Sequence, residues 1–187
     1  LLPNNTGILS VYPTSFCPGT VDLYATVHNA GNNAIASVDV HWSMDGIAQT
    51  TNFYSSTIAT GGIDTVFLGQ YTFAAATQYD MLVWTANPNG GADPITANDS
   101  LAINGFQASL SGTFYIGGAT PHFTDCTAAV AALVNFGVCG PVVFEAAPGT
   151  YVGQLTIPDI VGADSVNNIT FTSTTGDSTD VIVQYAA

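Results

Sequence analysis

Alternation dominates the first half of the chain. In Val21-Asp22-Leu23-Tyr24-Ala25-Thr26-Val27-His28-Asn29, the residues Val21, Leu23, Ala25 and Val27 share one face, the period of a half-buried strand. Val38, Val40 and Trp42 repeat the pattern, and Asp45-Gly46 behind them is a hairpin signal. Ile8–Tyr12, Ile63–Leu68, Gln78–Ala86 and Asn98–Ile103 read as further strands. Turn-rich stretches separate them: Pro13 to Gly19, Asn29-Ala30-Gly31-Asn32-Asn33 and Asn87-Pro88-Asn89-Gly90-Gly91. About seven short strands at this spacing predict a β-sandwich over residues 1–105, with a boundary near Asn104-Gly105.

The period then changes. Asp125 to Gly137 reads as one short helix, with Asp125 or Thr124 as N-cap, an Ala-rich middle and Gly137 as the stop. Ala129, Leu133 and Phe136 fall on one face by i, i+4, i+7 spacing. Val138-Cys139-Gly140-Pro141-Val142-Val143-Phe144 follows and ends in the turn Pro148-Gly149, and a second run, Val152 to Ile157, comes at once. A helix feeding short strands separated by single turns predicts the capped start of a coil of strands over residues 106–187.

Charge changes the picture more than hydrophobicity does. The chain has 13 acidic residues and no Lys or Arg, and its charged content is 7%, against an ordinary value of ~25%. Phosphate backbones need cations to release their counterions, so nucleic acid is excluded as a partner. Anionic lipid surfaces are excluded for the same reason. Ion pairs with Lys or Arg cannot form, so stability must come from burial, backbone ladders and any disulfide. Ten Phe, eight Tyr and two Trp argue against disorder. No apolar run approaches the ~20 residues of a membrane span. The opening Leu1-Leu2-Pro3, with no Met and no leader pattern, is what a processed chain or an excerpt is expected to show.

Two resemblances sharpen the reading. Phe16-Cys17-Pro18-Gly19, His28-Asn29-Ala30-Gly31, Trp42-Ser43-Met44-Asp45-Gly46 and Asn87 to Asp93 with Asn98-Asp99 resemble CARDB-type immunoglobulin-like adhesion modules. Gly112-Thr113-Phe114-Tyr115-Ile116-Gly117-Gly118, the helix, Val138 to Val142 and Pro148-Gly149-Thr150-Tyr151 resemble the N-terminal cap and first turns of right-handed, pectin-lyase-like β-helices. Ala147 stands where that family often carries a basic residue. Both modules are common in Bacteroidota surface proteins exported by the type IX route. The resemblance implies an all-β chain, an immunoglobulin-like sandwich followed by a short helix-capped parallel β-helix segment, located outside the cell. Asp64-Thr65-Val66, Asp99-Ser100-Leu101, Asp164-Ser165-Val166 and Asp177-Ser178-Thr179 resemble the O-glycosylation signal of that lineage, which makes Thr65, Ser100, Ser165 and Ser178 candidate attachment sites.

Candidate chemistry is thin. Cys126 and Cys139 bracket the helix, and a secreted chain permits a bridge between them, contributing roughly 3 kcal/mol; the alternative is two buried thiols. Cys17 is then left over as a small buried hydrophobe. The pairs Asp159/Asp164 and Asp177/Asp180 are of the type that could serve as acid and base, but structural turns are the expected role, and no catalytic residue is assigned. His28, His41 and His122 lack zinc spacing, and His28 and His41 are expected on solvent faces. Asp93, Asn98 and Asp99 offer oxygen ligands for calcium, the one ion worth weighing; an Asx-rich turn is the plainer account. The expected function is a structural or adhesive module without enzyme activity. The alternatives are the start of a carbohydrate-active β-helix enzyme and a glycan-binding module using the exposed aromatics. Val181-Ile182-Val183-Gln184-Tyr185 is an apolar strand with no polar cap after it, so end-to-end self-association through strand edges is one expectation; the other is an excerpt of a longer polypeptide whose next coil covers this strand. Leu1-Leu2-Pro3 and Ile8 to Tyr12 are candidate partners for that strand.

Overall fold

Period-two alternation builds the first unit of the computed structural model, which describes residues 2–185. That unit takes in the chain up to Ser15, Gly19–Phe73 and Thr77–Gln107. Its strands are β1 (Thr6–Tyr12), β2 (Gly19–Asn29), β3 (Val38–Met44), β4 (Ile47–Ala48), β5 (Asn52–Tyr54), β6 (Ile63–Phe73), β7 (Gln78–Ala86) and β8 (Ser100–Gln107). All pairings here are antiparallel. One sheet has the order β1-β2-β6; the other has the order β4-β3-β7-β8, with β5 also on β3. Leu23, Ala25 and Val27 are fully buried, as are Val38, Val40 and Val83, and Trp42, Met44, Leu68, Phe73 and Met81 are nearly so. Burying each such side chain stabilises by about 1.5–3 kcal/mol. The result is the expected β-sandwich.

Local chemistry sets the turns. Asp45 (φ 51°) and Gly46 (φ 75°) both take left-handed backbone, which closes the β3–β4 hairpin with Met44 opposite Ile47. Gly69 (φ 144°) sits over Trp42, where a Cβ would approach the indole Cζ2 to 3.2 Å. β6 runs on to Phe73, beyond the expected end at Leu68, because Gln70, Tyr71, Thr72 and Phe73 keep pairing with β2.

The second unit comprises Phe16–Pro18, Ala74–Ala76 and the chain from Ala108 onward. It contains β9 (Leu110–Ile116), α1 (Cys126–Phe136), β10 (Val138–Ala146), β11 (Gly149–Val152), β12 (Ile169–Ser173) and β13 (Val181–Gln184). The Asp125 carboxylate accepts from the Ala128 N–H at 2.9 Å, and Gly137 (φ 64°) ends the helix, as the capping pattern predicts. Cys126, Ala129 and Leu133 face the core.

Every strand pair of this unit is parallel. β10 lies between β9 and β12, and β11 pairs with β13. The register stacks like on like. Phe114, Phe144 and Phe171 are level with one another, with ring centroids 5.8 and 4.8 Å apart. The Tyr151 hydroxyl lies 2.8 Å from the Ala147 carbonyl and 3.2 Å from the Ile116 carbonyl, which pins the Pro148-Gly149 turn to the end of β9. The sheets hold three strands and two, and among the described residues they do not form the expected continuous coil of strands. The run Val152 to Ile157 is not a strand: β11 stops at Val152, and Ile157 points to solvent ahead of Pro158.

Candidate functional site

The cysteine pairing differs from the expected one. Cys17 is bridged to Cys139, with a Cα–Cα distance of 5.6 Å, and Cys126 is a buried free thiol. Alternation along β10 explains the change. Val138, Gly140 and Val142 point into the core, so Cys139 faces away from Cys126, which lies inside it. Phe16–Pro18 is grouped with the second unit, and the Phe16 carbonyl accepts from the Ser109 N–H at 2.9 Å. Burial pushes the Cys126 thiol pKa up, and the Asp125 charge adds to the effect.

The free edges of the two sheets in the second unit are its most distinctive feature. Among the described residues β12 pairs only with β10 and β13 only with β11, so each presents one unpaired side. Both registers run without a shift. Between the strands lies a mainly apolar cavity of about 200 Å³, lined by Cys126, Ala146, Leu155, Phe171, Val181 and Val183 among others. The expected assembly strand falls here. Val181–Gln184 is β13, Val181 is half-buried, and Ile182, Val183, Gln184 and Tyr185 are exposed. Of the candidate partner strands, Ile8 to Tyr12 is already paired within β1, and Leu1 lies outside the described residues.

Asp93, Asn98 and Asp99 do come together. Asp93 accepts from the Ile95 N–H at 3.0 Å, the bond of an Asx turn, and from the Thr6 N–H of β1 at 2.7 Å, a contact far along the chain. Asn98 Nδ2 donates to Asn5 Oδ1 at 3.0 Å, and the buried Oδ1 atoms of Asn98 and Asp99 have no hydrogen-bond partner. Burial, then the neighbouring Asp93 carboxylate, raises the Asp99 pKa to about 6. Among the described residues, no group of three or more His, Cys, Asp and Glu side chains is arranged to hold a metal.

The remaining candidates are dispersed. Thr65, Ser100, Ser165 and Ser178 are all exposed. Asp164 accepts from the Val166 and Asn167 N–H groups, both at 2.7 Å, and these bonds hold its pKa below the usual range. Asp177 likewise accepts from Thr179, and Asp180 accepts from the Thr175 hydroxyl at 2.7 Å. These carboxylates tie local turns together. His41 is on the outer face of β3 with Thr51 Oγ1 2.8 Å from Nδ1, and His122 Nδ1 accepts from the Tyr115 N–H at 3.0 Å. None of the described helices is long and apolar enough to cross a membrane.

No family model matches the chain, and no curated protein matches it. Solved structures do. A domain assigned to a cell-surface protein of Methanosarcina acetivorans is 20% identical and aligns over 57% of this chain and 93% of its own, with a TM-score of 0.50. The CARDB domain of a Pyrococcus furiosus protein, solved in complex with di-metal ions, is 11% identical over 58% of this chain and 92% of its own, with a TM-score of 0.45. A Paenibacillus cycloisomaltooligosaccharide glucanotransferase is 17% identical over 77% of this chain and 20% of its own, with a TM-score of 0.38. The first of these likenesses shows a shared fold and no more.

Proposed function

We propose that the chain is a structural module of an extracellular, cell-surface assembly, without enzyme activity, and that its copies join end to end by strand addition at β12 and β13. In this reading residues 1–105 are a CARDB-type immunoglobulin-like module and residues 106–187 are the start of a right-handed parallel β-helix, of the kind carried by type IX-exported surface proteins of Bacteroidota. One contrast carries the proposal. The edge strands β1, β6 and β8 all sit in ladders broken by a register shift, whereas the ladders of β12 and β13 are regular. Bulged edges resist edge-to-edge pairing, and regular apolar ones invite it. The incoming strand brings an apolar side chain into the cavity above Cys126 and Ala146. Glycans on Thr65, Ser100, Ser165 or Ser178 supply hydration that a surface without Lys or Arg otherwise lacks.

Electron microscopy of the native material tests assembly. Filaments are the expected result, and monodisperse single particles at high concentration contradict it. Intact mass tests the glycans: a mass equal to that of the bare polypeptide removes that part of the proposal.

A further inference from the structure

Trp84 stands in the middle of the outer face of the β4-β3-β7-β8 sheet, where the core has no use for it. Its cross-strand neighbour on β3 is His41, and the two rings stack with centroids 5.2 Å apart and planes 13° from parallel. Its neighbour on β8 is Ser100, which is small and exposed. The next pair along, Leu82 and Ala102, again sets a side chain of β7 against a small one on β8. One face of the indole is therefore covered by an imidazole, and the other looks over a strip floored by Ser100 and Ala102. Adjacent strands are about 4.8 Å apart, so the strip admits one flat ring standing parallel to the indole, as His41 does on the other side. Among the described residues β8 pairs with β7 and no further strand, which leaves the strip open at the sheet edge.

We infer that this strip binds a neutral glycan, with one pyranose ring stacked on the free face of Trp84. The occupant must have a flat apolar face, to use the indole, and a hydroxylated rim, to use the Ser100 hydroxyl, which this reading leaves unglycosylated, and nearby polar groups. Asn87 and Asp39, hydrogen bonded to each other at 2.8 Å, lie on the far side of the same sheet face. An anionic ligand is disfavoured: the chain has a formal charge of −13 and no Lys or Arg to meet it. A wholly apolar small molecule finds no enclosure on a flat sheet face, and such ligands need concave sites. A polymer of neutral sugars suits an open platform, because successive rings need no walls.

The test is titration of the intact protein with neutral hexasaccharides of β-1,4-glucose, β-1,4-mannose and α-1,6-glucose, read by tryptophan fluorescence and by chemical shifts of β7 and β8. Saturable quenching by at least one of them is expected, since Trp42 is buried and Trp84 is the half-buried one of the two tryptophans. Trp84→Ala should weaken binding about tenfold or more. Ser100→Phe should do the same by filling the strip while leaving Trp84 and the fold in place. No change with any of the three sugars at millimolar concentration overturns the inference. So does binding that survives both substitutions, or a concentration-dependent self-association that Trp84→Ala abolishes without any sugar effect, which assigns the strip to a second copy. Filament formation plays no part in this readout, so its outcome is independent of the assembly proposal.

Discussion

The two units solve the same problem with opposite means. Neither has a lysine to place on a sheet edge, the commonest guard against unwanted strand pairing. The first unit breaks its edge ladders with register shifts at Ile8/Ser10, Leu23/Tyr24 and Tyr79/Met81. It also covers β3 with two strands of only two and three residues. The second unit has a shift between Val138 and Val142 in the β9–β10 ladder, but none where β12 and β13 end their sheets. Edge protection is thus present at one end of the three-stranded parallel sheet and missing at the other. The difference teaches that a lack of lysine need not cause indiscriminate aggregation, because backbone irregularity can confine pairing to chosen edges.

The largest effect is expected from charging the open edges. Thr172→Lys with Val183→Lys should abolish assembly, whereas Leu9→Lys on the exposed face of β1 should leave it intact; electron microscopy and sedimentation velocity read both. Equal loss in the two variants would erase the distinction between guarded and open edges. Next comes the phenylalanine stack. Phe144→Ala should cost about 3–5 kcal/mol, in a denaturation transition that leaves tertiary signals of Trp42 unchanged. Removing the bridge with Cys17→Ala and Cys139→Ala should cost about 2–4 kcal/mol. The bridge spans a sequence separation of 122. Non-reduced peptide mapping should link Cys17 to Cys139 and find Cys126 alkylated only after unfolding.

The smallest effect is a pH dependence confined to the first unit. The Asp99 pKa is raised to about 6 from an ordinary 3.8, so the folded state holds that proton more tightly than the unfolded chain. Its stabilising contribution is complete below about pH 4 and is lost as pH rises through about 6. Asp64 of the same unit is shifted the other way, chiefly by the Tyr54 hydroxyl, and its contribution is lost only as pH falls below the ordinary carboxylate range. The melting temperature should therefore drop between pH 4.5 and 7, and Asp99→Asn should remove the drop.

How much of this was legible in the sequence depends on the range of the interaction. The β2 and β3 faces, the Asp45-Gly46 hairpin and the capped helix follow from neighbours within a few residues, and each could be read directly. The ends of β6 and β8 could not, because Tyr71 and Phe73 are held in strand by β2, and Phe106 and Gln107 by β7, all by residues distant in the chain. The cysteine pairing was misread because proximity in sequence outweighed alternation: reading β10 at period two puts Cys139 outside the core that holds Cys126. The apolar run after Tyr151 was misread as a strand because no pairing partner is visible in sequence. The Trp84–His41 pair depends on the β3–β7 register, which no local pattern reveals.

Concentration-dependent backbone hydrogen exchange measures the central claim most directly. The account predicts that amides of residues 169–173 and 181–184 gain protection as concentration rises through the assembly range, while those on the outer edges of β1, β6 and β8 do not change. Protection that rises at β1, β6 or β8, with none at β12 and β13, would contradict it.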